Sequence, residues 1–458
     1  MKQIKRSMSI LIAAVAAALF TAAATEAQTP PAPAATPAPG IQSPTDISLD
    51  ISKGGMQKVT LAIPPAIAPI NPDLQTRVVD PFHATLVDDL GGSAFFGVAD
   101  AALYPKGSRP PANREQGDSW IATGAHFLVD AQVQPVGDQV VVVAQLWDLR
   151  TLKPVFGGGK KYSGDARSAR RIAHYLANDI MRQFWGKPGP FLTRIAFVSD
   201  RDGKGTKEIY LMDYDGEGQT RISYHNSLSL APDWFRDGAK IVYQCFVKGS
   251  PALYTVSKDG GEKKQIATTT SLNSSPSVSP DGRTIAFCGS VKGNTEIYTI
   301  GADGGGQKRL TDNSAIDSTP RWAPNGRELV FTSNRQGSPQ LYVMDLEGAN
   351  VRRLTFAGNW NDEGNYSPDG SRLAFACRND AEMNICVLDL ATGRTTQISR
   401  DPGAHENPTW SPDGSKIAWE VSRGSSTQIV LANADGTNAK VITSAGNNFS
   451  PSWSKTLE

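Results

Sequence analysis

Six short apolar runs recur along the C-terminal half of the chain, separated by polar, glycine-rich stretches. They read IAFVSD from Ile195, IVYQCF from Ile241, IAFCGS from Ile285, LVFTSN from Leu329, LAFACR from Leu373 and IAWEVS from Ile417. Runs of this length, rich in β-branched and aromatic residues, predict strands. Five of them follow a glycine three positions earlier, at 238, 282, 326, 370 and 414, in the contexts FRDG, SPDG, APNG, SPDG and SPDG. Those glycines are 44 residues apart. Asp-Gly and Asn-Gly supply the positive φ angles of tight hairpins. Each copy then carries a second strand (EIY, ALY, EIY, QLY, NIC or QIV, starting at 208, 252, 296, 340, 384 and 428). A third resembles KRLT at Lys308–Thr311 or RRLT at Arg352–Thr355, and a fourth holds Pro-x-aromatic, as in Pro320-Arg321-Trp322 and Pro408-Thr409-Trp410. Four short strands per repeat, six times over, predict an all-β six-bladed β-propeller.

The aromatic column of that fourth strand, Trp234, Trp322, Tyr366, Trp410 and Trp453 with Val278 once in its place, is expected to pack between blades. The first copy lacks a Pro-x-aromatic strand ahead of Ile195, and the last has one to spare, Phe449 to Ser454. The C-terminus is therefore expected to complete the first blade and close the ring.

Upstream, the periodicity changes. QKVTLAI (Gln57–Ile63) predicts a buried strand. Leu74, Val78, Phe82, Leu86 and Leu90 recur every fourth residue, as on one helix face. HFLVDAQVQP, VVVVAQLWDL and GKKYSG predict a strand meander. Asp165 is placed to cap a closing helix that buries Ile172, Leu176, Ile180 and Phe184. This makes a small α/β N-terminal domain over 46–188, with Gly186-Lys187-Pro188-Gly189-Pro190 leading into a propeller over 189–458. Ahead of both, Lys2, Lys5 and Arg6 precede the apolar run Ile10–Phe20, the pattern of a cleavable signal peptide over 1–27 with a cut after Ala24 or Ala27. No cysteine stands at that site, so lipid attachment there is not expected. Residues 28–45 are Pro/Ala-rich and predict an extended linker. A periplasmic, soluble product follows.

Formal net charge is +1, and no basic stripe with interleaved aromatics occurs, which argues against nucleic acid as a partner. The histidines 83, 126, 174, 225 and 405 lack metal-ligand spacing. No Gly-x-Ser-x-Gly occurs. Gly157-Gly158-Gly159-Lys160-Lys161 departs from a P-loop, and Asp213-Tyr214-Asp215-Gly216 departs from a calcium loop at its twelfth position, Tyr224. No catalytic, cofactor-binding or metal-binding residue is expected. Cys377 and Cys386 can face each other across a hairpin, as a disulfide or as buried thiols. One polar group of residues suggests binding. The segments before the Pro-x-aromatic strands emerge on one face of the ring, near its axis, with Asp317 and Ser318, Asp362 and Glu363, His405 and Glu406, and Asn447 and Asn448. Such a mouth suits a basic or polar protein surface, or a cation.

Signal peptide, α/β domain and six repeats of the type P-x-W-S-P-D-G-x-x-I-A-F…I-Y…D-x-x-G…R-L-T together resemble the TolB family of the periplasmic Tol-Pal system, whose WD40-like repeats are of the PD40 type. The resemblance covers nearly the whole chain after the Pro/Ala-rich stretch. It implies a non-enzymatic monomer that touches membranes only through partners and supports outer-membrane integrity and constriction during division. It implies that the propeller mouth binds the lipoprotein Pal, with family contacts falling on Leu272, Asn273, Ser274 and Ser275 and on Asp317, Ser318 and Thr319. It also implies that the C-terminal domain of TolA is bound by an alternating N-terminal segment, matched here by Asp46, Ile47, Ser48, Leu49, Asp50, Ile51 and Ser52. The chain departs from the family in the linker before that segment and in Asp50, where an apolar residue is expected. A propeller-type hydrolase or lyase without recognisable catalytic residues is the alternative.

Overall fold

The computed structural model describes residues 58–455 apart from 107–108, 204, 248, 267, 292 and 379–381. The signal-peptide pattern, the linker and the segment Asp46–Ser52 lie outside the described residues. Among the described residues no helix is long and apolar enough to cross a membrane.

The N-terminal part is a mixed sheet with helices on both faces. Its strands are β1 (Val59–Ala62), β2 (Phe96–Val98), β3 (Phe127–Val136), β4 (Gln139–Asp148), β5 (Lys153–Pro154) and β6 (Lys160–Gly164), in the order β2-β1-β3-β4-β5 with β6 also on β4. β1 runs parallel to β2 and β3, and β3 and β4 form a long hairpin. On one face lie α1 (Asp80–Gly91) and α3 (Ala169–Trp185); on the other, Trp120 of α2 (Arg114–Ile121) packs near Leu128 and Leu149. The every-fourth-residue stripe is buried as expected. An α-helix drifts by about 40° for each four-residue step. A π turn at Gln75–Val79, just before α1, takes up part of that drift with its wider i→i+5 spacing. Asp165 does begin the turn into α3, but its carboxylate accepts Ser168 Oγ at 2.7 Å rather than capping a backbone N–H. Phe184 is half-buried, where full burial was expected. Gly186 ends α3 at φ 70°, a left-handed C-cap that suits glycine.

Six four-stranded antiparallel sheets follow, one per repeat. Numbered from Ile195, blade 1 is built from Asn448–Trp453, Arg194–Ser199, Glu208–Asp213 and Thr220–Arg221, so the C-terminal strand is its innermost. Ring closure is as the repeat count requires. The indole columns hold the blades together. Trp234, Trp322 and Trp410 each donate Nε1–H at 3.0 Å to a main-chain oxygen of the preceding blade, on Ser452, Ser277 and Asn365. Trp234, Trp410 and Trp453 are buried, whereas Trp322 is only half-buried. Cys377 and Cys386 form a disulfide within blade 5, while Cys245 and Cys288 are buried thiols.

The N-terminal sheet and helices share one apolar core with blades 1 and 6, including Phe191, Tyr214, Leu431 and Trp453. A polar clamp lies beside it. His174 of α3 meets Asp89 of α1 at 2.7 Å, and Tyr214 donates its hydroxyl to the same carboxylate. Arg170 bridges Asp213 and Asp215. The Asp-Tyr-Asp-Gly turn thus serves as a domain contact. Burial opposes charging of His174, yet Asp215 and Asp89 outweigh it and hold the imidazole up at about 9. Lys416 of blade 6 donates to Gly92 O at 2.8 Å, at the C-terminal end of α1, where a cation is favoured.

Candidate functional site

The inner strands are Ser229–Trp234, Leu272–Val278, Asp317–Trp322, Trp360–Tyr366, Ala404–Trp410 and Asn448–Trp453. Each slips register once against its neighbour. At each slip sits a non-glycine residue in the left-handed region: Ala231, Ser275, Thr319, Glu363, Asn407 and Ser450, with φ between 46° and 58°. Six bulges therefore ring the axis. This corrects one expectation. Apart from Asn447, the mouth residues are not in segments ahead of the Pro-x-aromatic strands but in the first half of those same strands, because the bulge splits each strand into two pieces that look separate in the sequence.

The bulge also sorts the predicted residues. Asn273, Asp317, His405 and Asn448 form a buried column that braces the blades. Asn273 donates to Pro251 O, and Arg335 meets Asp317 at 3.0 Å. His405 accepts Trp419 Nε1–H at 2.9 Å on Nδ1, which leaves Nε2–H to donate to Asp401 O at 2.8 Å. Asn448 joins Gln428 Oε1 and Arg201. In this conformation these four present no side-chain surface to a partner. Leu272, Ser274, Ser275, Ser318, Thr319, Asp362, Glu363 and Glu406 are partly exposed.

Three of these, Leu272, Ser274 and Ser275, lie on blade 3, and the other five lie on blades 4 to 6. Asp362 accepts Thr319 Oγ1 at 3.0 Å and Thr332 Oγ1 at 2.6 Å, from the neighbouring blade. Glu363 accepts the Asn407 N–H at 2.6 Å. Glu406 lies directly opposite Glu420 in the ladder, and Glu420 accepts the Ser450 N–H. Burial pushes the Glu363 carboxyl well above the usual range, and Glu406, Asp362 and Glu420 push it further. Burial and then Asp362 raise Glu406. Burial and Glu406 carry Glu420 up to about 7. Lys207, over the Phe449 ring, is lowered by burial and partly held up by the nearby Glu420 and Asp200. The site can thus accept hydrogen bonds and cationic groups, with the Lys207 amine beside its carboxyl groups.

Sequence reasoning missed Glu420, Thr332, Asn407, Ser450 and Lys207. A signal existed for the first two. The fourth position of the apolar runs reads Val198, Gln244, Cys288, Thr332, Ala376 and Glu420, and polar groups in a doubly buried strand need partners.

The model of the TolB beta propeller domain matches residues 181–457, and that of the TolB amino-terminal domain matches residues 47–155. The Tol-Pal system protein TolB of Syntrophotalea carbinolica is 32% identical over 197 residues, covering 42% of this chain and 45% of that protein. Its namesake in Geobacter sulfurreducens is 33% identical over 212 residues, covering 44% and 46%. The alignments thus span about half the length of the curated relatives. The crystal structure of TolB from Acinetobacter baumannii superposes with a TM-score of 0.76 at 27% identity, covering 88% of this chain and 98% of that one. With more than half of its length matched by the propeller model, the chain belongs to the TolB family.

Proposed function

We propose that this component of a Tol-Pal system is a periplasmic, non-enzymatic binding protein, exported by its signal peptide, whose propeller mouth takes the lipoprotein Pal. The bulge ring carries this reading. Non-glycine residues in the left-handed region cost free energy, and such strain clusters at ligand clamps. Here it recurs six times around one opening, at the end of the strands away from the domain clamp. The N-terminal segment Asp46–Ser52 is assigned to the C-terminal domain of TolA, where an alternating strand adds to a sheet edge. The pairing of the two partners links inner-membrane and outer-membrane parts of the system, supporting envelope integrity and constriction at division. Within the mouth, Ser275, Thr319, Asp362, Glu363 and Glu406 are the assigned contacts, and the buried column positions them.

The test is calorimetry of purified Pal against the chain carrying Glu363→Gln and Glu406→Gln. Affinity should fall about tenfold as two hydrogen-bond-accepting carboxylates are removed, with the thermal melt no lower than that of the parent. Unchanged affinity in a folded variant places the Pal site elsewhere.

A further inference from the structure

Blade 2 differs from the others at its outer edge. Its outermost strand, Gly260–Ile266, runs for 7 residues, whereas the outermost strands of the other blades run for 2 or 3. It pairs with Ala252–Ser257 on one side, and among the described residues no strand lies on the other. Antiparallel pairing turns the N–H and C=O of every second residue away from the neighbour. A long free edge is therefore a row of unpaired groups, a template for another strand.

The side chains add a sign to that template. Lys263 and Lys264 stand at its centre, and successive side chains leave a strand on opposite faces. Among the described residues neither ammonium has a carboxylate within ion-pair distance. Lys263 Nζ lies 5.2 Å from the ring centroid of Tyr224, a side chain 58% exposed. Arg221 also covers that ring, but its guanidinium is held by Asp202 and Glu208. Glu262 stands beside them in the same strand, so this edge carries two uncommitted ammonium groups and one carboxylate, a net positive charge.

We propose that the outer edge of blade 2 is a second docking site, which accepts an extended acidic segment of a partner protein as a fifth strand. Two consecutive carboxylates of that segment meet Lys263 and Lys264, one on each face, and an apolar residue beside them covers Tyr224. The site lies on the outer rim, so it stands or falls independently of the mouth.

The experiment titrates the purified chain into a fluorescein-labelled peptide, Thr-Val-Asp-Glu-Val-Thr, by fluorescence anisotropy, with amide hydrogen exchange in parallel. Binding that weakens with salt is expected, with slowed exchange in residues 260–266. K263E/K264E should weaken it about tenfold, the loss of two exposed ion pairs, and should gain affinity for the counterpart peptide with Lys-Lys at its centre. Both positions are on an open edge; if the reversal perturbs the melt, K263S/K264S replaces it with the same expected loss. No binding, binding without protection of 260–266, or binding undiminished by the substitutions overturns the proposal. A concentration-dependent dimer abolished by K263E/K264E overturns it in favour of a second copy.

Discussion

At the scale of single residues, the mouth stores unfavourable charge. Glu420 is buried against Glu406, and its carboxyl is raised from 4.5 to about 7. The unfolded chain therefore ionises this group first as pH rises. Between the two values the folded state holds more protons, so stability falls as pH climbs through that window and the penalty is fully present above it. Glu420→Gln removes the charge and keeps an acceptor for the Ser450 N–H. Denaturant melts should show the variant equal to the parent near pH 4 and more stable at pH 8, by up to about 3 kcal/mol. A less stable variant at pH 8 would show that Lys207 compensates the charge fully. This penalty was invisible in the sequence, which shows Glu406 and Glu420 as separate polar positions. Likewise His405 and Glu406 are neighbours in one strand, one buried as a brace and one facing the channel. Only the register of the bulge tells them apart.

Strands and blades were far more legible. Short apolar runs, Asp-Gly turns and the 44-residue spacing define a repeat that buries itself only by stacking, so strand order and ring closure follow from pattern alone. What the pattern does not give is how tightly each copy of a column packs. Trp322 and Trp234 occupy the same repeat position and make the same inter-blade hydrogen bond. Trp234 is 1% exposed, however, while Trp322 lies partly open. Trp234→Ala should cost about 3–5 kcal/mol, and Trp322→Ala about 1–2 kcal/mol, because less apolar area is lost from a half-covered ring. Equal losses in urea melts would mean that the shared hydrogen bond, not the packing, sets the cost. The long outer edge of blade 2 and the domain clamp were equally hidden, the first because the repeat gives each blade a third and outer strand but not its length, the second because its partners are far apart in the chain.

On the scale of the whole molecule, the last strand does more than finish blade 1. Phe449, Ser452 and Trp453 pair with Val198, Ala196 and Ile195, which closes the ring between chain ends more than 250 residues apart. Trp453 also lies in the core shared with the N-terminal domain, and its indole donates to Thr193 Oγ1 at 2.7 Å in the segment that joins the two. A single strand thus completes a sheet, seals the seams to blades 2 and 6, and anchors the junction to α3. Ending the chain at Asn448 removes a fully buried indole, strips the inner partner from Arg194–Ser199, and exposes strand edges at the axis, where aggregation templates form. The truncated chain should lose its cooperative melt and aggregate on purification, and limited proteolysis should cut first within blade 1. The N-terminal sheet should be affected along with the propeller, because the lost indole belongs to both cores. A soluble truncation that melts at the parent temperature would show that the ring is held by its blade seams alone and that closure by the C-terminal strand contributes little.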